Sequence, residues 1–373
     1  MSGESVLSRT PTAASRARAR GAWQRPAATP GPVGRWDRRS GLWWPRCASG
    51  SARLRMASGG QLRAVGSPMI TPDPSLGFVL AGGGANGEAQ QAWILDRMTI
   101  DRMAPGVWSG ESIGGVNAYG NALLGASEMS AVWSRLGARD IYRGGSGLDR
   151  LMTLAGRRPG IYDMTPALET LTALTRGRRL PPAVRVVVTV CDLVTGALLE
   201  HVLTSDTPPG AAVEKVYQSC LVPLAHGARD GRYADGGVGA MAPIGPAVRQ
   251  GARQLEVCLL GRAGTETWTP SLKATEQAGR AVEILRDQLY WSDLDAIVTR
   301  NRLAALSPGA GYEQVDGRIW EPLDVLPGWM DWSEAAKRRR RVARFRLLGS
   351  TLDQAHAELE RRRVTALAAS LAH

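Results

Sequence analysis

Two short apolar stretches in this chain each end in a glycine-rich turn and run directly into a helical pattern. The first is Leu76-Gly77-Phe78-Val79-Leu80, followed by Ala81-Gly82-Gly83-Gly84-Ala85-Asn86-Gly87 and a helical pattern from Glu88 to Met98. The second is Gly106-Val107-Trp108-Ser109, followed by Gly110-Glu111-Ser112-Ile113-Gly114 and another helical run. Further strands are predicted over 184–190, 198–203 and 254–260, and helices over 87–98, 113–124, 211–220 and 243–251. Strands that alternate with helices bury their apolar faces best as a mostly parallel central sheet flanked by helices, so an α/β fold is expected. In such a sheet the chemistry gathers at the carboxyl ends of the strands.

The second turn has the pattern G-x-S-x-G between strand and helix, the context of a nucleophile elbow. A strained turn there lifts the Ser112 hydroxyl off the backbone, and the helix behind it offers N–H groups and positive dipole to an oxyanion. Gly110 and Gly114 leave room for the tight turn and for substrate. The first turn exposes consecutive backbone N–H groups to an anion, either a nucleotide phosphate or an ester oxyanion. It lacks both G-K-[ST] and G-x-G-x-x-G, which speaks against the nucleotide. Further on, Ala234-Asp235-Gly236-Gly237 places an aspartate in a turn. A serine needs a base to act as a nucleophile. An exposed aspartate, with a reference pKa of about 3.9, is a weak one, and desolvation would raise it into a useful range.

In this order, the three blocks resemble the patatin-like phospholipase family, which carries G-G-G-x-[RK]-G, G-x-S-x-G and D-G-[GA]. The resemblance spans roughly residues 74 to 303 and includes the inner strand over 184–194 with Thr195-Gly196. It also includes Gln218-Ser219-Cys220-Leu221-Val222-Pro223 and Pro243-Ile244-Gly245-Pro246-Ala247. It implies a serine lipid acyl hydrolase with no cofactor and no metal. Ser112 would attack the acyl carbonyl, with Asp235 as its direct base. An oxyanion hole would be formed by Gly82, Gly83, Gly84, Gly87 and Ile113, and lipid or phospholipid would be the substrate. Two positions depart from the family pattern. Asn86 stands where Arg or Lys is usual, and Glu111 where a small or polar residue is usual. Glu111 either perturbs Asp235 or repels anionic headgroups, or it points into solvent, which is the expectation. These departures motivate an alternative, a catalytically weak lipid-binding or scaffold protein.

Four histidines, His201, His226, His356 and His373, are the candidates for a triad. His226 precedes the Asp235 hairpin and is the one placed to approach the site. The chain order Ser, Asp, His is not met, because both His201 and His226 come before Asp235. The cysteines Cys47, Cys191, Cys220 and Cys258 form no C-x-x-C pair. The last three read as buried thiols, so neither a disulfide framework nor a zinc site is indicated.

Three segments are expected: an arm over 1–72, a hydrolase domain over 73–306, and a linker with a basic C-terminal helix over 307–373. The arm carries twelve arginines and no lysine against Glu4 and Asp37, which accounts for nearly all of the net charge of +12. Its Ala, Gly, Pro, Ser and Arg content lacks periodicity and predicts disorder. Its basic charge and its Trp23, Trp36, Trp43 and Trp44 suit nucleic acid or anionic lipid; its composition also suits a transit peptide. A dispensable arm, with Met56 or Met69 as the functional start, is the favoured reading, and no specific nucleic-acid partner is indicated. No apolar run of 18 residues is present, so a cytoplasmic protein with peripheral membrane contact is expected. Met152, Leu154, Ile161 and Met164 form either a mobile apolar cap over an acyl chain or ordinary core. The last predicted helix begins near Trp332, carries Lys337 to Arg341, Arg344 and Arg346, and either rests on anionic lipid or packs Leu347, Leu348 and Leu352 on the core.

Overall fold

The computed structural model describes residues 35–37, 42–44, 71–262 and 274–371. The chain divides into two compact units, Met1–Gly66 and Ser67–His373. In the first, Arg35–Asp37 pairs antiparallel with Leu42–Trp44. The rest of the predicted arm, with its expected disorder and partners, lies outside the described residues.

The second unit is built on an eight-stranded sheet. In chain order its strands are β1 (Asp73–Leu80), β2 (Pro105–Glu111), β3 (Arg185–Asp192), β4 (Ala197–Leu203), β5 (Tyr233–Asp235), β6 (Gln254–Cys258), β7 (Asp316–Pro322) and β8 (Phe345–Gly349). They lie in the order β8-β7-β6-β1-β2-β3-β4, with β5 paired to β3. The five strands from β7 to β3 run parallel, and β8, β4 and β5 are antiparallel. The predicted mostly parallel sheet is therefore present. From β1 the chain builds outward through β2 to β3, then returns to the other side of β1 through β6. Between β1 and β6 the strand order reverses, and a crevice opens there at the carboxyl ends.

Period-two alternation supplies two cores. Val79, Val107, Leu255 and Val257 face α7 (Ile244–Arg249), α8 (Ala274–Leu306) and α10 (Leu352–Leu371). Phe78, Leu80, Trp108, Val186 and Val188 face α1 (Gly87–Thr99), α2 (Ile113–Leu124) and α6 (Pro209–Gln218). On that second face Phe78 meets Trp93 and Trp108 with ring centroids 5.4 and 5.1 Å apart, tilted or edge-on as aromatic quadrupoles prefer. Beyond α2 lie α3 (Ala126–Arg135), α4 (Gly147–Leu154) and α5 (Thr165–Thr175).

Two expectations need correction. The stretch 307–373 is not a linker with an appended helix. β7 adds to β6 in parallel, with Val257 opposite Ile319, and β8 closes that edge. The predicted last helix is also broken. α9 (Glu334–Arg341) ends, 345–349 forms β8, and α10 follows. Pairing with β7 overrides local helix propensity, and Arg346 and Arg362 both reach the fully buried Glu321 on β7. Of the three leucines offered for the core in one of the two readings, Leu348 and Leu352 pack on it, whereas Leu347 is exposed.

Candidate active site

Sheet register brings the predicted residues together. β2 pairs with β3 as far as Glu111 opposite Thr189. β4 fills the other edge of β3, so β5 continues the edge that β2 leaves, with Asp235 opposite Val190. Ser112 follows Glu111 directly, and neighbouring strands lie about 4.8 Å apart. Residues separated by 123 positions in the chain thus meet at one point.

Ser112 has φ +53° and ψ −130°, outside the ordinary regions for a residue with a side chain. It is the N-cap of α2, and its carbonyl accepts from the N–H groups of Gly115 and Val116 at 3.0 and 3.2 Å. This is a strained turn from strand to helix with Ser112 at its apex. The two flanking glycines are demanded by crowding. A Cβ at Gly110 would lie 2.3 Å from the Gly114 carbonyl oxygen, and one at Gly114 2.1 Å from that of Leu80. Backbone on every side leaves nothing to give way.

Asp235 is buried, with the Ser112 side chain beside its carboxylate at the wall of the same cavity. Its Oδ1 also accepts the Gly237 N–H at 2.7 Å. Burial pushes the carboxyl up to about 6, against the opposing pull of Ser112, the Gly237 N–H and Glu111. A base of that strength is usable near neutrality, unlike an exposed aspartate.

Glu111 does not point into solvent; it is fully buried. As the last residue of an inner parallel strand it shares a face with Val107 and Ser109, and helices cover that face. Its Oε1 accepts the Gly82 N–H, and its carboxyl is in hydrogen-bonding contact with that of Asp235. Burial first, then the Asp235 charge, raises it well above the usual carboxylate range.

The glycine loop is narrower as a donor set than the five predicted positions. The Gly82 N–H is given to Glu111. The Gly87 N–H turns back onto the Ala85 and Gly84 carbonyls, and the residue itself packs against Ile113 and Trp133. Gly83 and Gly84 have no N–H partner among the described residues, and neither does Ile113 at the start of α2. All three border the same cavity as Ser112 and Asp235.

That cavity has a volume of about 1640 Å³. Its walls are mainly apolar, from Leu124, Met129 and Leu171 on one side to Met241 and Leu289 on another. Ile161 and Met164 of the proposed cap line it. Leu154 of that group is exposed, together with Leu148 and Leu151 of α4.

Sequence reading missed two supports. The strap over 322–332 lines the cavity, and its Trp329 carbonyl accepts the Ala85 N–H at 2.7 Å. The Asn86 side chain donates to the Pro327 carbonyl and accepts from Arg340 Nε, each at 3.0 Å. Arg340, on the helix expected to lie either on anionic lipid or against the core, is fully buried and also donates to the Gly328 and Asp331 carbonyls. On α9 its neighbour Lys337 is buried too, and Arg341 pairs with Glu88 of α1. The second support is an amide network. Asn117 donates to the Gly87 carbonyl and to Gln90 at 2.9 and 3.0 Å, and accepts from Trp133 at 2.8 Å; Gln91 and Asn121 exchange two bonds. The signal for it was two amides in α1 and two at i, i+4 spacing in α2.

The histidines do not build a triad. His226 lines the cavity, but its Nδ1 is engaged with the 220–222 turn, and burial holds the ring down to about 4. His201 lies on β4, likewise lowered to about 4 by burial, and His356 bonds to Asp295. His373 and Cys47 are outside the described residues. Cys191 and Cys258 are buried free thiols, and Cys220 is half-buried. Among the described residues no cluster of three or more His, Cys, Asp or Glu is placed to hold a metal. No described helix is long and apolar enough to cross a membrane.

Residues 78–248 match the family described as patatin-like phospholipase. Among solved structures, the chain is similar to VipD from Legionella pneumophila, at 12% identity and TM-score 0.38, over 79% of this chain and 67% of that one. It is also similar to the type III effector protein ExoU, at 12% identity and TM-score 0.30, over 78% of this chain. The match spans about half of the ExoU chain, 54%. No curated protein matches significantly.

Proposed function

We propose, from the patatin-like phospholipase domain at residues 78–248, that this chain is a serine lipid acyl hydrolase working through Ser112 and Asp235. The observation that carries this reading is the Ser112 side chain, held on a positive-φ turn beside the buried carboxyl of Asp235 at the wall of an apolar cavity.

Ser112 Oγ attacks the acyl carbonyl as its proton passes to Asp235. The oxyanion takes hydrogen bonds from the N–H groups of Gly83, Gly84 and Ile113. Collapse breaks the ester bond, and the departing alcohol takes the proton back from Asp235. Water then attacks the acyl-serine, with Asp235 as base again, and releases the fatty acid. Losing one oxyanion donor typically costs about a hundred- to a thousandfold in rate.

The test is a fluorophosphonate probe on the folded protein, followed by mass mapping. One adduct on Ser112 is expected. No adduct on folded protein would favour the lipid-binding alternative. That alternative drew on Asn86 and Glu111, and both side chains have structural partners here.

Peripheral membrane contact belongs to the same proposal. Leu148, Leu151 and Leu154 are 67%, 63% and 79% exposed along one side of α4. α4 lies on the segment joining Tyr142 to Ile161, both in the cavity wall. Exposed apolar side chains beside a lipid cavity suit shallow insertion into a bilayer. Replacing all three with Glu should cut hydrolysis of phosphatidylcholine vesicles by about tenfold or more. Hydrolysis of dissolved p-nitrophenyl butyrate should stay within about twofold, because none of the three side chains lines the cavity that holds Ser112. Equal rates on vesicles would count against this docking face.

A further inference from the structure

One buried acid has no part in the acyl transfer described above. Glu111 Oε1 is spoken for by the Gly82 N–H. Glu111 Oε2 and Asp235 Oδ2 are both buried, and neither has another partner among the described residues. The two carboxyls are in contact. Two adjacent carboxylates in apolar surroundings do not both ionise, and one proton held between them satisfies both orphaned oxygens.

The surroundings decide which carboxyl keeps the proton. Asp235 receives the Gly237 N–H and has the Ser112 side chain beside it, whereas Glu111 receives only the Gly82 N–H. Negative charge settles where the donors are. The other titratable groups facing the pair are Asp293 and Tyr290 from α8, Cys220 beyond α6, and Cys191 on β3. All are neutral or negative, so none of them favours a second charge on the pair. The fit at Gly82 is close, since a Cβ there would fall 2.1 Å from Glu111 Oε1.

We propose that Glu111 is a positioning residue: as a neutral acid it donates from Oε2 to Asp235, while Oε1 holds the Gly82 N–H, so that one side chain ties the glycine loop to the base that serves Ser112. This rests on the hydrolase reading. It makes the departure at position 111 a working part of the site.

The experiment compares wild type, Glu111→Gln and Glu111→Ala. Gln can copy both contacts, its carbonyl taking Gly82 and its amide donating to Asp235, but it holds no shared proton. Infrared difference spectra at neutral pH should show a protonated-carboxyl band in wild type that Glu111→Gln lacks. The pH profile of kcat/KM on p-nitrophenyl butyrate should keep its acid limb in Glu111→Gln. In Glu111→Ala the lost donor should move that limb up by about one pH unit, a tenfold loss of rate on its lower side. A wild-type basic limb from ionisation of Glu111 should vanish in Glu111→Gln. An unchanged band, or an Ala limb where the wild-type one stands, overturns the proposal. If Glu111→Ala does not fold, the band and the Gln profile decide, and a persistent band or a displaced Gln limb overturns it. Folded wild type with Ser112 unlabelled by fluorophosphonate sinks the hydrolase reading itself, whereas labelled Ser112 with an unchanged band sinks the role of Glu111 alone.

Discussion

Ser112→Ala should reduce hydrolysis of p-nitrophenyl butyrate by at least about a thousandfold, and Asp235→Asn by about a thousand- to ten-thousandfold. At 1.36 kcal/mol per decade, this is about 4–5.5 kcal/mol of transition-state stabilisation. The size follows from the chemistry. No histidine stands between the two groups, so Asn at 235 removes the proton acceptor outright. Stability should move the other way. Asp235 is raised by burial from the ordinary range to about 6. A carboxyl raised in the folded state contributes stability that is fully present below its unfolded pKa of about 3.9 and is lost as pH climbs through 6. Asn is free of that loss and still accepts the Gly237 N–H. The melting temperature of Asp235→Asn should therefore match or exceed that of wild type at pH 8, with a smaller gap at pH 5. Near-wild-type turnover by folded Asp235→Asn would refute a direct dyad. A collapse in melting temperature would refute the view that Asp235 is placed for chemistry at a cost to the fold.

The parts legible in the sequence were those governed by short-range rules. β1 and β2 announce themselves as apolar runs ending in glycine turns, and Ser112 and Asp235 are marked by glycines that crowding requires. α8, Ala274–Leu306, carries Val282, Leu285, Leu289, Leu294 and Ile297 at helical spacing over a stretch long enough to be unambiguous. Long-range pairing was what remained hidden. Asp-Gly-Arg-Ile-Trp-Glu-Pro sits among prolines and glycines and reads as linker, yet it is β7. Phe345 to Gly349 follows a basic helical run and reads as its continuation, and only β7 beside it makes it a strand. Glu111 was misread because a lone carboxylate ordinarily seeks water. Its burial follows from the position of β2 inside the sheet, which no local pattern reveals. Asn86 was legible as a departure, but not as one end of a contact with Arg340, 254 residues away.

That contact sets the second large expectation. Arg340→Met should lower stability by about 3–5 kcal/mol and kcat by about tenfold or more. Met fills similar volume, so the loss is of donors, not of packing. The guanidinium serves Asn86 Oδ1 at 3.0 Å and the Gly328 carbonyl at 3.1 Å, and also donates to the Asp331 carbonyl. Without it three acceptors lose a charged donor, among them the buried Asn86 side chain. The strap over 322–332 is then held less firmly, and through Trp329 it holds the Ala85 N–H beside Gly84. An oxyanion loop displaced by about 1 Å is enough to cost a large factor in rate. Lys at 340 separates two ways of acting. It keeps the positive charge near Asn86, but it cannot reproduce the planar fork. If Arg340 acts by anchoring the strap, Arg340→Lys should fall close to Arg340→Met in both melting temperature and kcat. If charge at the oxyanion is what matters, Lys should recover most of the rate while leaving the stability loss in place. Arg338→Ala, one turn exposed on the same helix, is the control and should stay within about 0.5 kcal/mol of wild type. Wild-type stability in Arg340→Met would mean that the strap is secured by Trp329 and Asn86 without the guanidinium.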